Sequence, residues 1–481
     1  MESVVQALRA FLASVPGWQS GTGGNFRAGF YPAGTLELDG AGQSCSESKR
    51  MLLMTVGAGI MGRKAGVVAA LLVACGIANA ATKTEQLAEM TPTVRIPASE
   101  LGYVAPSSAY LGLRYALTTV DFIDKDHLLF TYHVRRLMQR IPGDDASDHD
   151  QMIHAEVVDI ASGKVTHEAD WRMHDRDQYL WALNDGQFLV RQKNSLFLTN
   201  SRLELRPYLT FDGELRAVEI SPDRKLMLIE VEKVLPPSET EEPKAPSLMG
   251  TGTSGKDGPA APRKKRTELV LLRPGEKTVV ARSEAQHPVS VPLNDDGFIE
   301  INEGTKPNQW VLRKTYFGGE PKEFGMLQST CMPSLQALSE TVVLALHCRA
   351  NRTEGNPIVS AVSTQDGTLW TDEWQDKYVW PHFEYATDGS RFVYEALEMN
   401  RAVGALDSFG EEDVKGQPAG VFDTESGKLQ LVVNASPILS GGRNCALSAD
   451  GRRFAILRRG AIEVYDLPPA PPGAKKDEKK K

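Results

Sequence analysis

The chemistry-bearing side chains of this 481-residue chain fall into a few groups, and none has the spacing of a familiar catalytic motif. His127, His133, His149, His154, His167 and His174 crowd one stretch. None stands in HExxH spacing, which places two zinc ligands on one helix face, or beside a Gly-x-Ser-x-Gly turn, which exposes a nucleophile. They read as surface and turn residues. Asp144, Asp145, Asp148 and Asp150 offer carboxylate oxygens to a calcium ion, but the loop lacks the central Gly and terminal Glu of an EF-hand. Gly57-Ala58-Gly59-Ile60-Met61-Gly62 matches GxGxxG. A dinucleotide site also needs a second strand ending in an acidic residue about twenty positions on, and Ile77 to Thr84 is no strand. The reading therefore assigns no catalytic residue, no metal ligand and no cofactor.

Two sets of aromatic residues repeat one spacing: Trp171, Tyr179 and Trp181, then Trp370, Tyr378 and Trp380. With Arg172, His174, Asp175 and Arg176 beside the first set, and Trp374, Asp376 and His382 beside the second, they could line a ligand-binding surface on loops between repeats. Packing is the plainer account, because aromatic side chains bury large apolar areas.

The elements that would position these residues are short strands. The 42 Gly and 28 Pro are spread along the chain, which suits many turns rather than a few long helices. A polar turn followed by an apolar run occurs seven times. It stands at Asp124 to His127 before Leu128-Leu129-Phe130, at Asn184-Asp185-Gly186 before Phe188, and at Ser221-Pro222-Asp223 before Leu226 to Ile229. It returns at Asp295-Asp296-Gly297 before Phe298, Ser339-Glu340 before Val342, Asp388-Gly389 before Phe392, and Ala449-Asp450-Gly451 before Phe454. Asp, Asn and Gly close such turns through side-chain hydrogen bonds and positive φ, and continuous apolar runs suit strands buried on both faces. A second hairpin turn follows in several repeats, as at Ala161-Ser162-Gly163-Lys164, Arg273-Pro274-Gly275, Gln365-Asp366-Gly367 and Thr424 to Lys428. Two hairpins per repeat make a four-stranded antiparallel blade, and a period of this length marks a radial array. The fold expected is all-β: a β-propeller of about seven four-stranded blades over residues 81–467.

The turns Ser221-Pro222-Asp223 and Ala449-Asp450-Gly451, each with a buried strand after it, and the Ser-Gly-Lys turns resemble WD-repeat-like propellers of bacterial exported proteins. The resemblance runs from Leu117 to Leu467. The Trp-Asp dipeptide of that family is absent, with Tyr465-Asp466 in its place. The resemblance implies the fold and carries over no catalytic residue, since propellers serve as scaffolds, binders and enzymes alike. The last repeat lacks a strand, because Ala461 to Asp466 runs straight into Pro468 and Pro469, which cannot continue a sheet interior. A segment around Thr93 to Tyr103 is expected to supply it and close the ring.

Arg63 and Lys64, the apolar stretch Ala65 to Ala74 and Ala78-Asn79-Ala80 read as a signal peptide over residues 61–80. Residues 1–60 then form an extension from a mis-assigned start, without a fold. Cys75 in Leu72-Val73-Ala74-Cys75 offers a lipid anchor as the alternative route of processing. Residues 1–60 carry equal numbers of basic and acidic side chains, and Arg63 and Lys64 add two positives, so the formal charge of -8 becomes -10 after cleavage. An acidic chain of this kind lacks the concentrated basic surface that nucleic acid requires. No transmembrane span is expected in the mature chain. Residues 236–266 and 468–481 are expected to be disordered. In an oxidising compartment Cys331 and Cys348 would pair across a hairpin of the fifth repeat, leaving Cys445. The expectation is a periplasmic or secreted binding or scaffolding module for a protein, glycan or small ligand. The alternative is a hydrolase or lyase with its site at the channel mouth.

Overall fold

The computed structural model describes residues 90–106, 117–134, 151–173, 178–234, 265–277, 279–285, 293–294, 297–316, 319–351, 357–374, 378–401, 409–439 and 443–469. Among these the strands form seven antiparallel sheets, the blades of a β-propeller. From the innermost strand outwards, blade 1 is Thr119–Phe122, His127–Val134, Gln151–Asp159 and Val165–Met173, and blade 2 is Leu180–Ala182, Phe188–Gln192, Ser195–Thr199 and Leu205–Thr210. Blade 3 is Glu214–Ile220, Met227–Val234, Lys265–Leu272 and Val279–Ala285; blade 4 is Leu293–Asn294, Gly297–Glu303, Gln309–Tyr316 and Lys322–Gln328. Blade 5 is Ser334–Ala337, Val342–His347, Ile358–Ser363 and Gly367–Glu373; blade 6 is Tyr378–Tyr385, Arg391–Met399, Pro418–Asp423 and Leu429–Asn434, with Val414–Gly416 added on its second strand.

Six of the seven polar turns join an innermost strand to the second strand of a blade, and at the seventh Asp295 and Asp296 lie outside the described residues. Local hydrogen bonds build them. The Ser221 hydroxyl accepts from the Lys225 and Leu226 amides (3.1 and 2.9 Å) and donates to Asp223 Oδ1 (2.7 Å). Ser448 repeats the pattern with the Arg453 amide (2.9 Å) and Asp450 Oδ1 (2.7 Å). Gly451 stands at φ 63°, with Ser390 Oγ of the preceding blade 2.5 Å from where a Cβ would lie. A side chain there would be strained by the backbone and by the neighbouring turn. The apolar runs form the second strands, which are sandwiched between neighbouring blades. Phe392 packs with Leu338 and Leu344 of blade 5, while Val393 beside it packs with Phe454 and Ile456 of the seventh sheet.

That seventh sheet closes the ring. Cys445–Leu447, Arg453–Arg458 and Ala461–Asp466 are its inner strands, and Val94–Pro97 is the outermost. Val94 pairs with Val464 and Ile96 with Ile462. The backbone amides of Thr93 and Ala98 extend the ladder to the carbonyls of Val464 (2.7 Å) and Gly460 (2.9 Å). The N-terminal segment thereby removes the free edge that the C-terminal strand would expose. Cys331 and Cys348 form a disulfide, Cα atoms 5.5 Å apart, at the open end of the first hairpin of blade 5; Cys445 is free and buried.

Residues 1–60 and 61–80, read above as an extension and a signal peptide with Cys75 as the alternative anchor, lie outside the described residues, as do the acidic loop Asp144 to Asp150, most of residues 236–266 and the end of the C-terminal tail. Strand pairing in blade 3 resumes at Lys265. No helix among the described residues is long and apolar enough to cross a membrane.

Candidate functional site in the channel

Innermost strands of a propeller face the axis, so polar residues on them meet residues from other blades. Here they converge. Asp121 lies in the innermost strand of blade 1, between Val120 and Phe122, and is buried. Arg443, just ahead of the innermost strand of blade 7, brings Nη2 within 3.8 Å of Asp121 Oδ1, with only 7% and 6% of the two side chains exposed. Its backbone is fixed by the Val120 amide, which donates to the Arg443 carbonyl at 3.0 Å. With the Gln178 amide turned to satisfy its surroundings, its oxygen accepts from Arg443 Nη1 and from the Trp181 indole, both at 2.7 Å. Asp121 Oδ2 and Arg443 Nε have no hydrogen-bond partner among the described residues.

Blade 6 contributes His382 and Glu384, which alternate along its innermost strand and so share one face. His382 Nε2 and Glu384 Oε1 are 2.8 Å apart, with 11% and 20% of the side chains accessible. Retained accessibility within a crowded interior fits groups lining a channel rather than filling a core. Arg224 comes from the turn of blade 3, where its Nη1 donates to the Leu183 carbonyl at 3.0 Å. Its charge acts on both Asp121 and Glu384. Tyr179 of blade 2 braces the floor: its hydroxyl donates to the Leu117 carbonyl (3.1 Å) and lies 2.6 Å from Thr131 Oγ1, which in turn meets Thr119 Oγ1 at 2.8 Å.

The two carboxylates of this cluster titrate in opposite directions. Burial pushes Asp121 up to about 7, opposed by Arg443 and reinforced by repulsion from Glu384. Burial also works to raise Glu384, but the His382 hydrogen bond and the charges of His382, Arg443 and Arg224 outweigh it and hold the carboxyl below its ordinary value. Behind them, Glu395 on the second strand of blade 6 is fully buried and pushed up to about 8, by burial first and by Glu384 after the partly offsetting thiol hydrogen bond. The Cys445 thiol faces it, Sγ 3.5 Å from Oε2. One buried acid and one ionised carboxylate under two guanidinium groups can grip a polar ligand and can hold or release a proton near neutrality.

The residues singled out from sequence are dispersed. Trp171, on the outermost strand of blade 1, is 2% exposed and packs with Leu180, Phe188 and Val190 of blade 2. Arg172 follows it and is half-buried. Trp374 packs against Tyr394 and Phe422 of blade 6, ring centroids 4.1 and 6.0 Å away. Trp380 lies in the innermost strand of blade 6, and the description does not extend to its side chain. His174, Asp175, Arg176 and Asp376 lie outside the described residues. Of the residues singled out, His382 joins the channel cluster, and Tyr179 and Trp181 of the first aromatic set border it. The echo of the two aromatic sets is positional: Trp171 and Trp370 sit on outermost strands of blades 1 and 5, and Tyr179 and Tyr378 at the innermost strands of blades 2 and 6. Asp121, Arg224, Glu384 and Arg443 were missed. The available signal was a charged residue interrupting an apolar strand, as in Val120-Asp121-Phe122.

No protein-family model matches the chain, and the curated proteins contain no similar sequence. Among solved structures it is similar to uncomplexed Pyrococcus horikoshii acylaminoacyl peptidase, at 11% identity and a TM-score of 0.42, over 74% of this chain and 53% of that one. It is similar to the β-propeller domain of the Trilobed protease from Pyrococcus furiosus, at 10% identity and a TM-score of 0.38, over 73% of this chain and 96% of that one. It is also similar to the Cps50 (Swd1) β-propeller domain from Myceliophteria thermophila, at 12% identity and a TM-score of 0.38, over 79% of this chain and 100% of that one. The chain spans about half the length of the acylaminoacyl peptidases it matches. These likenesses concern the fold alone.

Proposed function

We propose that this chain is an exported binding or scaffolding propeller and that its channel receives a small polar ligand with an anionic group. The carrying observation is the convergence of Asp121, Gln178, Arg224, Glu384 and Arg443 from five blades, with buried polar atoms on Asp121 and Arg443 left unpartnered. Buried polar atoms are costly to leave unpaired, and a ligand that pairs them recovers that cost. Guanidinium groups match carboxylates and phosphates through planar, charge-assisted bonds. Export is supported by the signal-like segment at 61–80 and by the Cys331–Cys348 disulfide, which persists in oxidising compartments.

The test is a thermal-shift screen of the purified protein against small carboxylates, phosphates, glycans and cell-envelope extracts. A ligand that binds only the native state raises the melting temperature by mass action. The proposal expects an anionic hit whose shift disappears in Arg443→Gln and shrinks in Glu384→Gln. A hit that survives both substitutions, or hits confined to proteins of the extract, would refute the channel as the binding site.

A second reading, a hydrolase or lyase at the same place, is favoured by the opposed acidities of Asp121 and Glu384. Such a split is what general acid-base chemistry near neutral pH needs. It predicts turnover of the bound ligand, lost in Asp121→Asn while binding persists. Binding without turnover decides for the module.

A further inference from the structure

A second polar cluster lies away from the channel, on the outer strands of blade 1. His154 and Glu156 alternate on the third strand, and Glu168 and Asp170 on the fourth. The register sets His154 opposite Asp170 and Glu156 opposite Glu168, so the four side chains share one face as two adjacent cross-strand pairs. Asp170 Oδ1 lies 2.7 Å from His154 Nδ1. With the proton of a neutral ring on Nδ1, that bond turns the Nε2 lone pair towards carboxylates. Nε2 is 3.3 Å from Glu156 Oε1 and 3.9 Å from Glu168 Oε2. Potential ligand atoms of His154, Glu156 and Glu168 all lie within 4.8 Å of one another.

We infer that His154, Glu156 and Glu168 bind a divalent first-row transition ion, with zinc the best match, and that Asp170 orients the imidazole. Donor atoms about 2.1 Å from a tetrahedral ion stand about 3.4 Å from each other, so small side-chain movements bring this set to coordination distance. A carboxylate on the far nitrogen of a metal-bound histidine is the usual outer support, fixing tautomer and ring orientation.

Independent of the spacing, Glu156 is 4% exposed and its Oε2 has no hydrogen-bond partner among the described residues. A buried carboxylate oxygen without a donor is costly, and a cation among these ligands removes that cost. An imidazole nitrogen with carboxylate oxygens suits zinc better than calcium or magnesium, which favour all-oxygen sites. Glu168 is 71% exposed and His154 20%, so the ion would keep a side open to water or to an external ligand.

The test uses the full-length, tag-free chain, stripped with chelator and titrated with zinc by calorimetry and with cobalt(II) by visible absorption. The expected result is one equivalent bound, with ligand-field bands for cobalt, abolished by His154→Ala. Glu168→Gln, at an exposed position that leaves folding undisturbed, and Asp170→Asn should each weaken binding by about tenfold or more, the scale of lost ligand support. Absence of stoichiometric binding overturns the inference. So does binding that survives both His154→Ala and Glu168→Gln, which would place the ion elsewhere. A protonated His154 bridging Asp170 and Glu156, indifferent to zinc, would overturn it as well.

Discussion

Glu395 offers a direct measurement of what the channel wall costs. Its side chain is fully buried, and its carboxyl is pushed from the ordinary 4.5 to about 8, by burial first and by Glu384 after the partly offsetting thiol hydrogen bond. In the unfolded chain it titrates near its ordinary value. Between those two values the folded protein therefore holds a proton that the unfolded chain has lost, and stability falls as pH rises. Integrating that linkage gives a loss from this one group of about 1 kcal/mol at pH 5 and about 4 kcal/mol at pH 8, relative to full protonation. Glu395→Gln keeps the shape and the neutral charge of the protonated acid. Urea unfolding of both proteins at pH 5 and pH 8 should show the variant gaining about 3 kcal/mol on the native chain between the two conditions. Other groups in the cluster titrate in both proteins and largely cancel in the difference. A variant that is less stable by the same amount at both pH values would refute the reasoning, because it would mean that Glu395 is ionised and bound in the native state throughout.

Replacing Cys331 and Cys348 together by Ser should cost about 3 kcal/mol, the loop-closure entropy released to the unfolded chain by a 17-residue separation. For a propeller of this size that is a fall of about 4 °C in melting temperature, readable by calorimetry of the reversible transition. Deleting residues 90–98 removes the outermost strand of blade 7 and exposes the Ala461–Asp466 edge. The truncated chain should form dimers and larger species in size-exclusion chromatography where the full chain does not, and an unchanged elution profile would show that the edge needs no cover.

The seven-bladed ring was legible because its signals are local. Ser221 and Ser448 each cap a turn with bonds reaching no more than five residues along the chain, so the residues that specify the turn sit together in the sequence. The apolar run after each turn records burial on both faces, which any strand between two blades must have. Even the closing strand could be inferred, since Pro468 and Pro469 leave the last sheet one strand short. The disulfide was legible for the same reason: its cysteines flank one hairpin.

The sites were not local. Asp121 and Arg443 come from opposite ends of the folded sequence, and only closure of the ring makes their blades neighbours. Glu384 and Arg224 acquire their roles from the same closure, because the field at the axis is the sum over inner strands that the chain visits far apart. The blade 1 cluster was closer to view, as His154, Glu156, Glu168 and Asp170 flank one Ser-Gly-Lys turn with alternating spacing. Its register still had to be known, since a shift of one residue would turn two of the four to the other face. Residue types and turn chemistry in the sequence determined the blades and their number. Which charges meet, which are buried and which atoms lack a partner were decided by tertiary structure, because electrostatic and desolvation energies depend on distances through space that the order of residues does not contain.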